Sequence, residues 1–458
     1  MSVLGQINVK IVWVDANRKQ VGAKLSFGEH SGRTVDFSIR EISENYKGKL
    51  NNAIVTKKGL RGKRGVKLPH KRLYWQTGQP VATYTLMHAD TTVCYVYPVE
   101  NKIEIVAGEF LPFALTGLEG MMPVLSSEGY ALIDSEGRQI MASLSRLTVS
   151  VFEQWLTSRV DNLTRTYMNR VYIARKIGRD REKILRDSCA ISIIDNFWVR
   201  RSDVDTSWSE LKSKRDINLD IVNIALTGEI KKLPDFKKAT EDTISLFTTK
   251  GAFPKAIYKG TILKKDNNAE YEVIACNLGN VLGVSVAKAI KRNGLVECKL
   301  FTSEKISMTH AGDLLHLTDY NKDSDEHRAL YEYFSGQGRN DITKQLERLY
   351  ILNYIVENTD LHYENFGFLY DSSSFEITEV APAYDFNSAF LGLDDVSLYY
   401  HWILHNIRSF LLNNVDIVKH LQSSEFAIVL SNINGLTLEQ KKSVRERAEY
   451  LCSKFNES

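Results

Sequence analysis

Cysteine pairs are missing from this sequence. Its five cysteines, Cys94, Cys189, Cys276, Cys298 and Cys452, are odd in number, scattered, and never spaced as C-x-x-C. That excludes a disulfide scaffold and a structural zinc site of ordinary ligand spacing, and it suits a reducing compartment. The N-terminus carries no unbroken apolar segment of signal-peptide type, and no window approaches about 18 uninterrupted apolar residues, so neither secretion nor membrane spanning is indicated and a cytoplasmic protein is expected. Internal repeats and low-complexity tracts are absent too, which removes solenoids and biased linkers from consideration. Net charge is small: 59 basic against 56 acidic residues leave +3, too little to argue for a nucleic-acid partner.

What is present is ordinary globular material. A chain of 458 residues, 43% hydrophobic and 25% charged, holds enough for two or three domains, more than one core usually serves. Charge is uneven along it. Eight basic residues (Lys57, Lys58, Arg61, Lys63, Arg64, Lys67, Lys71 and Arg72) occur with no acidic residue among them, and Tyr74 and Trp75 follow. A solvated, glycine-loosened loop explains this run; a nucleic-acid-binding arm is the less favoured alternative.

Periodicity divides the chain. Ile7, Val9, Ile11 and Trp13 alternate with polar neighbours, Val93–Tyr97 and Ile103–Val106 are β-branched or aromatic, and Tyr130–Leu147 reads as a hairpin around Ser135-Glu136-Gly137, giving a β-rich domain over residues 1–148. From Val149 the period becomes helical, with Phe152, Trp155, Leu156, Ile184, Leu185, Ile191 and Ile194 spaced by charged residues, and a charged stretch carrying Pro234 follows. Residues 149–240 are therefore expected to be a helical connector. Strands and helices mix in residues 241–458. Glu272–Leu282 reads as an amphipathic helix with Gly283 at its C-cap, and Asp341–Val356 as another with Ile342, Leu346, Leu349, Tyr350 and Asn353 on one stripe. Two strands, Phe366–Tyr370 and Phe375–Val380, should follow, and a Thr437-x-x-Gln440 capping box opens a last helix.

The second expected helix runs straight into Asn358-Thr-Asp-Leu-His-Tyr-Glu-Asn365. Phosphoryl transfer asks a protein for a carboxylate that orients the attacking hydroxyl and for oxygen ligands to Mg²⁺. Asp360 and Asn365 have the separation of the Asp and Asn in the protein-kinase loop H-R-D-x-x-x-x-N, and Asp385 follows the strand pair where a kinase keeps its second metal aspartate. Taken singly, Asp360 is a turn former, Asn365 an amide at a strand end and Asp385 a helix cap; in this order and spacing they point to catalysis. His362 belongs to the same catalytic loop, where it serves to rigidify the loop rather than as the base.

The run Asn358-Thr-Asp-Leu-His-Tyr-Glu-Asn-Phe-Gly-Phe-Leu369 with Pro382-Ala-Tyr-Asp385 resembles the HipA-like kinase family, with its patterns N-x-D-x-H-x-x-N-F and P-x-Y-D. Thr248-Thr-Lys-Gly-Ala-Phe-Pro-Lys255 is similar to that family's phosphate loop S-x-x-G-A-Q-x-K, Tyr258-Lys259-Gly260 to its nucleotide lysine, and Glu272 to a glutamate on the next helix. The resemblance covers about residues 190–400 and is weak in the first 150. It implies an α+β, protein-kinase-like bilobal fold behind the N-terminal β-rich domain, with a nucleotide lobe near 241–335 and a catalytic, helical lobe near 336–458. It also implies ATP and Mg²⁺ as cofactors, Gly251, Lys255, Lys259 and Glu272 at the nucleotide, Asn365 and Asp385 at the metal, and autophosphorylation at Thr248, Thr249 or Ser245. Two departures stand out: Phe253 replaces the glutamine of the phosphate loop, and only three residues separate Lys255 from Lys259.

The leading expectation is a serine/threonine protein kinase acting on a protein substrate, with an antitoxin or regulatory partner and a role in growth control. A small-molecule or lipid-headgroup kinase is the alternative, disfavoured by the scarcity of membrane-surface signals. A non-catalytic nucleotide-binding protein with a nucleic-acid-binding N-terminal region is the third, and intact Asp360, Asn365 and Asp385 argue against it.

Overall fold

The computed structural model describes residues 8–15, 20–25, 34–38, 53–57, 71–75, 84–98, 102–123, 141–145, 147–159, 165–174, 188–201, 206–213, 219–230, 254–265, 268–318, 320, 325–391 and 400–457. The chain divides into two compact units, one of residues 1–85 with 95–104 and one of residues 86–94 with 105–458. In the first, β1 (Asn8–Asp15), β2 (Gln20–Leu25), β3 (Thr34–Ser38), β4 (Ala53–Lys57) and β5 (Lys71–Trp75) form an antiparallel sheet in the order β3-β2-β1-β4-β5. The basic run between β4 and β5 lies outside the described residues. Strands β6 (Tyr84–His88), β7 (Thr91–Tyr97) and β8 (Lys102–Ile105) follow in the chain.

In the second unit, β9 (Glu119–Pro123) pairs antiparallel with β10 (Met141–Ser145), so the partner of the expected hairpin's second strand comes from before Tyr130. The Ser135–Gly137 turn lies outside the described residues. Helix α1 (Val149–Ser158) is N-capped by Thr148 and buries Phe152, Trp155 and Leu156, the residues its periodicity marked. After α2 (Met168–Ala174), β11 (Phe197–Arg201), α3 (Trp208–Ser213) and α4 (Leu219–Thr227), the apolar faces of α2 and α4 pack on Ala256, Ile257 and Leu263. Ile184, Leu185 and Pro234 are outside the described residues.

Those last contacts fall on β12 (Lys255–Tyr258) and β13 (Thr261–Lys264), which with β14 (Ala289–Arg292) and β15 (Leu295–Lys299) make an antiparallel sheet ordered β12-β13-β15-β14. Between β13 and β14 runs α5 (Ala269–Val281), which ends at Leu282 with Gly283 in the left-handed conformation (φ +67°), as a C-terminal glycine should be. Gly279 permits close packing of this helix: a Cβ there would lie 2.4 Å from Val286.

Strand β16 (Ile306–His310) pairs with β17 (Gly367–Asp371), and β17 with β18 (Ile377–Val380). Helices α6 (Glu326–Gly336), α7 (Asn340–Ile355), α8 (His401–Asn413), α9 (Val415–Leu421), α10 (Ser424–Asn432) and α11 (Leu438–Asn456) complete the unit. The α7 stripe Ile342, Leu346, Leu349, Tyr350 and Asn353 is at most 3% exposed, and α11 opens with the Thr437–Gln440 capping box. The architecture is α+β, an antiparallel sheet carrying Lys255 and Lys264 and a helical body carrying the Asp360 loop.

Candidate active site

The buried core stops short of Asp360. Helix α7 ends at Ile355, and the following residues are tied down at their root. Glu357 takes φ +56°, unusual without glycine, and its buried carboxylate meets Arg447 of α11 at 3.3 Å while Arg447 Nε donates to the Ile355 carbonyl at 2.9 Å. Asn358 is buried, donates to Asn353 Oδ1 at 2.9 Å, and offers its carbonyl to the Tyr400 hydroxyl. Further along, α6 holds the loop at two points. His327 Nε2 lies 3.1 Å from the Leu361 carbonyl, and the Tyr363 N–H donates to Glu326 Oε1 at 3.1 Å. A loop fastened in this way can present side chains in one fixed geometry.

Asp360 and Asn365 are brought together. Asn365 Nδ2 donates to Asp360 Oδ2 at 2.9 Å and to its carbonyl at 2.8 Å. His362 Nε2 stands 3.5 Å from Asp360 Oδ1, and its Nδ1 accepts the Glu364 N–H at 3.2 Å, so His362 braces the loop. Partial burial raises the Asp360 carboxyl from its ordinary value, the nearby Asp385 charge adds to this, and His362 and Asn365 oppose it. Gly367 closes the loop against β16, where a Cβ would sit 2.1 Å from the Thr309 carbonyl oxygen.

Asp385 arrives from the other direction. A parallel bridge between Val286 and Ala383 seats Tyr384-Asp385 beside the lysine-bearing sheet, and Asp385 itself is left-handed at φ +63°. Its Oδ1 accepts from Lys264 Nζ at 2.9 Å, and the same Nζ donates to Glu272 Oε2 at 2.9 Å. Burial alone would raise the Asp385 carboxyl, but Lys264, then Lys255, overcomes it and holds the group well below the usual carboxylate range. Burial would lower Lys264, yet Asp385 and Glu272 keep it well above an ordinary lysine. Lys255 and Lys264 are direct cross-strand partners in the β12–β13 hairpin, so both side chains leave the same face of the sheet. Lys255, Lys264, Glu272, Asn365 and Asp385 line one cavity. Cys298 lines it as well, but burial pushes its thiol up to about 12, far from a reactive thiolate.

One expectation is corrected here. Lys259, expected at the nucleotide, does not line the cavity: it occupies the hairpin turn with Gly260, both residues at positive φ (+47° and +70°), exposed and over the Tyr258 ring at 5.2 Å. The lysine that meets Glu272 is Lys264, which the sequence reading missed. Lys-Gly between two short alternating segments was the signal that could have found it, since a two-residue turn with both φ positive fixes the register and places Lys264 opposite Lys255. Gly251, Phe253, Thr248, Thr249 and Ser245 lie outside the described residues.

Among the described residues no three His, Cys, Asp or Glu side chains gather as a metal cage. The Asp385 carboxylate and the Asn365 amide oxygen, whose nitrogen is engaged by Asp360, are hard oxygen donors. They fit Mg²⁺, which accepts one or two protein ligands and completes its shell with water and phosphate oxygens.

Residues 232–453 match the profile of the HipA-like C-terminal domain. No curated protein matches the chain. Among solved structures, the chain is similar to the Helicobacter pylori proinflammatory kinase CtkA, at 19% identity over 44% of this chain and 90% of that one, with a TM-score of 0.31. It is also similar to HipA of a Shewanella oneidensis MR-1 toxin–antitoxin system, solved with HipB and its operator DNA, at 11% identity over 81% of this chain and 96% of that one, with a TM-score of 0.37.

Proposed function

Because residues 232–453 belong to the HipA-like C-terminal domain family, we propose that this chain is an ATP- and Mg²⁺-dependent protein kinase that phosphorylates a serine or threonine hydroxyl. The observation that carries the reading is the contact of Lys264 with both Glu272 and Asp385 in the cavity that Asn365 also lines. A lysine paired with a helix glutamate, beside a metal-ligating aspartate and the Asp/Asn loop, is the set that phosphoryl transfer from ATP requires.

The roles follow from chemistry at named atoms. Asp360, raised above an ordinary carboxyl by burial and by Asp385, orients the acceptor hydroxyl and takes its proton as the oxygen attacks the γ-phosphorus. Asn365 holds Asp360 through Nδ2, and its amide oxygen together with the Asp385 carboxylate would hold the metal. Mg²⁺, when bound, neutralises phosphate charge that builds up in transfer. Lys264 and Lys255 present two ammonium groups from one sheet face to the α- and β-phosphates, while Glu272 keeps Lys264 aimed into the cavity. The ADP oxygen leaves as the new phosphoester forms.

A protein acceptor, an antitoxin or regulatory partner and a growth-control setting come from the HipA-like relationship and belong to the same proposal. The test is incubation of the purified chain with γ-labelled ATP and Mg²⁺, alone and with lysate. Label on serine or threonine of a protein is expected. Label only on lipid or a small molecule would overturn the acceptor class, and no transfer at all would overturn the kinase reading.

A further inference from the structure

We propose that Arg159 and Asp195 are positioning residues for nucleotide binding: their ion pair holds Ser192–Asp195, a segment outside the HipA-like domain, as a wall of the cavity and so sets nucleotide affinity. The proposal rests on the kinase reading of that cavity.

Arg159 caps the C-terminus of α1, and its guanidinium makes four hydrogen bonds. Nη1 and Nη2 donate to the two Asp195 oxygens, each at 2.7 Å, Nε donates to the Ala190 carbonyl at 2.8 Å, and Nη2 also reaches the Phe197 carbonyl at 3.1 Å. The two side chains are each 7% exposed, and Asp195 additionally accepts the Phe197 N–H at 3.0 Å. A planar fork matched to a carboxylate is a rigid joint, which a lysine in its place would not be.

What the joint holds is a strained segment. Cys189 and Ala190 are successive non-glycine residues in the left-handed region, at φ +48° and +54°. Such geometry persists only where surroundings enforce it, and the Arg159 bond to the Ala190 carbonyl is one such enforcement. Downstream, three hydrogen bonds dock the segment on the HipA-like domain. The Met308 N–H donates to the Ile194 carbonyl at 2.7 Å, Thr302 Oγ1 to the Ile193 carbonyl at 2.9 Å, and Asn196 Nδ2 to the Glu304 carbonyl at 2.8 Å.

The chemistry of the cavity divides accordingly. Lys255, Lys264 and Asp385, the charges assigned to phosphate and metal, come from within residues 232–453, and the Arg159–Asp195 pair, which also lines the cavity, comes from before it. Trp155, Ile193, Ile194 and Phe197, which line the same cavity, come from before it and add apolar surface. A nucleoside needs such an apolar slot beside the few polar groups that fix orientation.

The experiment uses the full chain and three variants. Asp195→Asn keeps the shape and the acceptor for Phe197 N–H but removes the charge; Arg159→Lys keeps charge without the fork; Ile194→Ala changes the wall and leaves the pair intact. Affinity for Mg²⁺ with a non-hydrolysable ATP analogue is measured by calorimetry, alongside kcat, KM for ATP and the melting temperature. Asp195→Asn should raise Kd and KM by about tenfold, the scale of one lost charge-assisted bond, with kcat within about twofold of wild type. Arg159→Lys should fall between, and Ile194→Ala should raise Kd severalfold along with some loss of melting temperature from its packing on Met308 and Leu369. A lowered melting temperature with unchanged Kd and KM would make the pair structural only and overturn the proposal. If Asp195→Asn fails to fold, Arg159→Lys decides: unchanged Kd and KM in that variant overturn the proposal. Wild-type protein that binds no nucleotide would overturn the kinase reading together with this one, whereas wild-type binding that the variants leave untouched overturns only this one.

Discussion

The Glu272 carboxylate accepts the backbone N–H of Asp385 at 3.0 Å and that of Phe386 at 2.9 Å while it holds Lys264 Nζ at 2.9 Å. One side chain on α5 therefore fixes both the lysine and the left-handed turn that aims Asp385. Glu272→Ala leaves the buried N–H groups of Asp385 and Phe386 unpaired and Lys264 with Asp385 as its remaining partner, a loss on the order of 3 kcal/mol. Glu272→Gln keeps shape but not charge and should lower kcat/KM by about 10–100-fold with a smaller stability change. Denaturant unfolding of both variants checks this; an alanine variant as stable as wild type would disprove the role.

Lys264 and Lys259 make opposite predictions although five residues apart. Lys264→Met leaves Glu272 and Asp385 facing each other without their shared cation, so nucleotide binding should be lost and stability reduced. Lys259→Met removes an exposed turn side chain and should leave ATP affinity within about twofold of wild type, as surface substitutions usually do. Thermal shift by Mg²⁺ and ATP separates the two, and a Lys259 variant that no longer shifts would return that residue to the site.

How far the sequence led can be seen in these residues. Asp360, Asn365 and Asp385 could be singled out from a short Asp-to-Asn spacing and the order of adjacent elements, and the structure joins Asp360 to Asn365 and sets Asp385 on Lys264. The helices α5 and α7 were legible from apolar period and a terminal glycine. The lysine was misassigned because its identity depends on hairpin register, and a shift in where the turn falls changes which side chain faces the helix. Arg159 and Asp195 were invisible for a different reason: 36 residues apart, they form a pair only through tertiary structure, and neither stands in a motif.

Gly367 tests how tightly the catalytic loop is seated. Alanine there would place a Cβ 2.1 Å from the Thr309 carbonyl oxygen and 2.8 Å from Met308, forcing β16 and β17 apart. A loss of about 1–3 kcal/mol, the usual cost of overpacking, is expected, with activity falling further because Asn365 moves. Gly336, helical and with nothing within 4 Å of a Cβ, is the control. Its alanine variant should be neutral or more stable by roughly 0.5–1 kcal/mol. Equal behaviour of the two variants in thermal unfolding would contradict the close approach at Gly367.

The pH dependence of transfer should reveal Asp360. Catalysis needs its carboxylate unprotonated, and burial first, then repulsion from Asp385, raises its pKa above the ordinary value. Activity should therefore rise with pH along an acid limb that lies higher than a free aspartate would give. Where His362 is protonated, its positive charge lowers the Asp360 pKa, so His362→Ala removes that help and must move the limb to still higher pH. Asp360→Asn should abolish the limb and lower kcat by about 10²–10⁴-fold, with nucleotide affinity nearly unchanged because Lys264, Asn365 and Asp385 remain. The profile of kcat against pH for the three proteins is the measurement. A limb that moves to lower pH in His362→Ala, or an Asp360→Asn variant that keeps more than about a tenth of wild-type kcat, would take the proton from Asp360 and require another base.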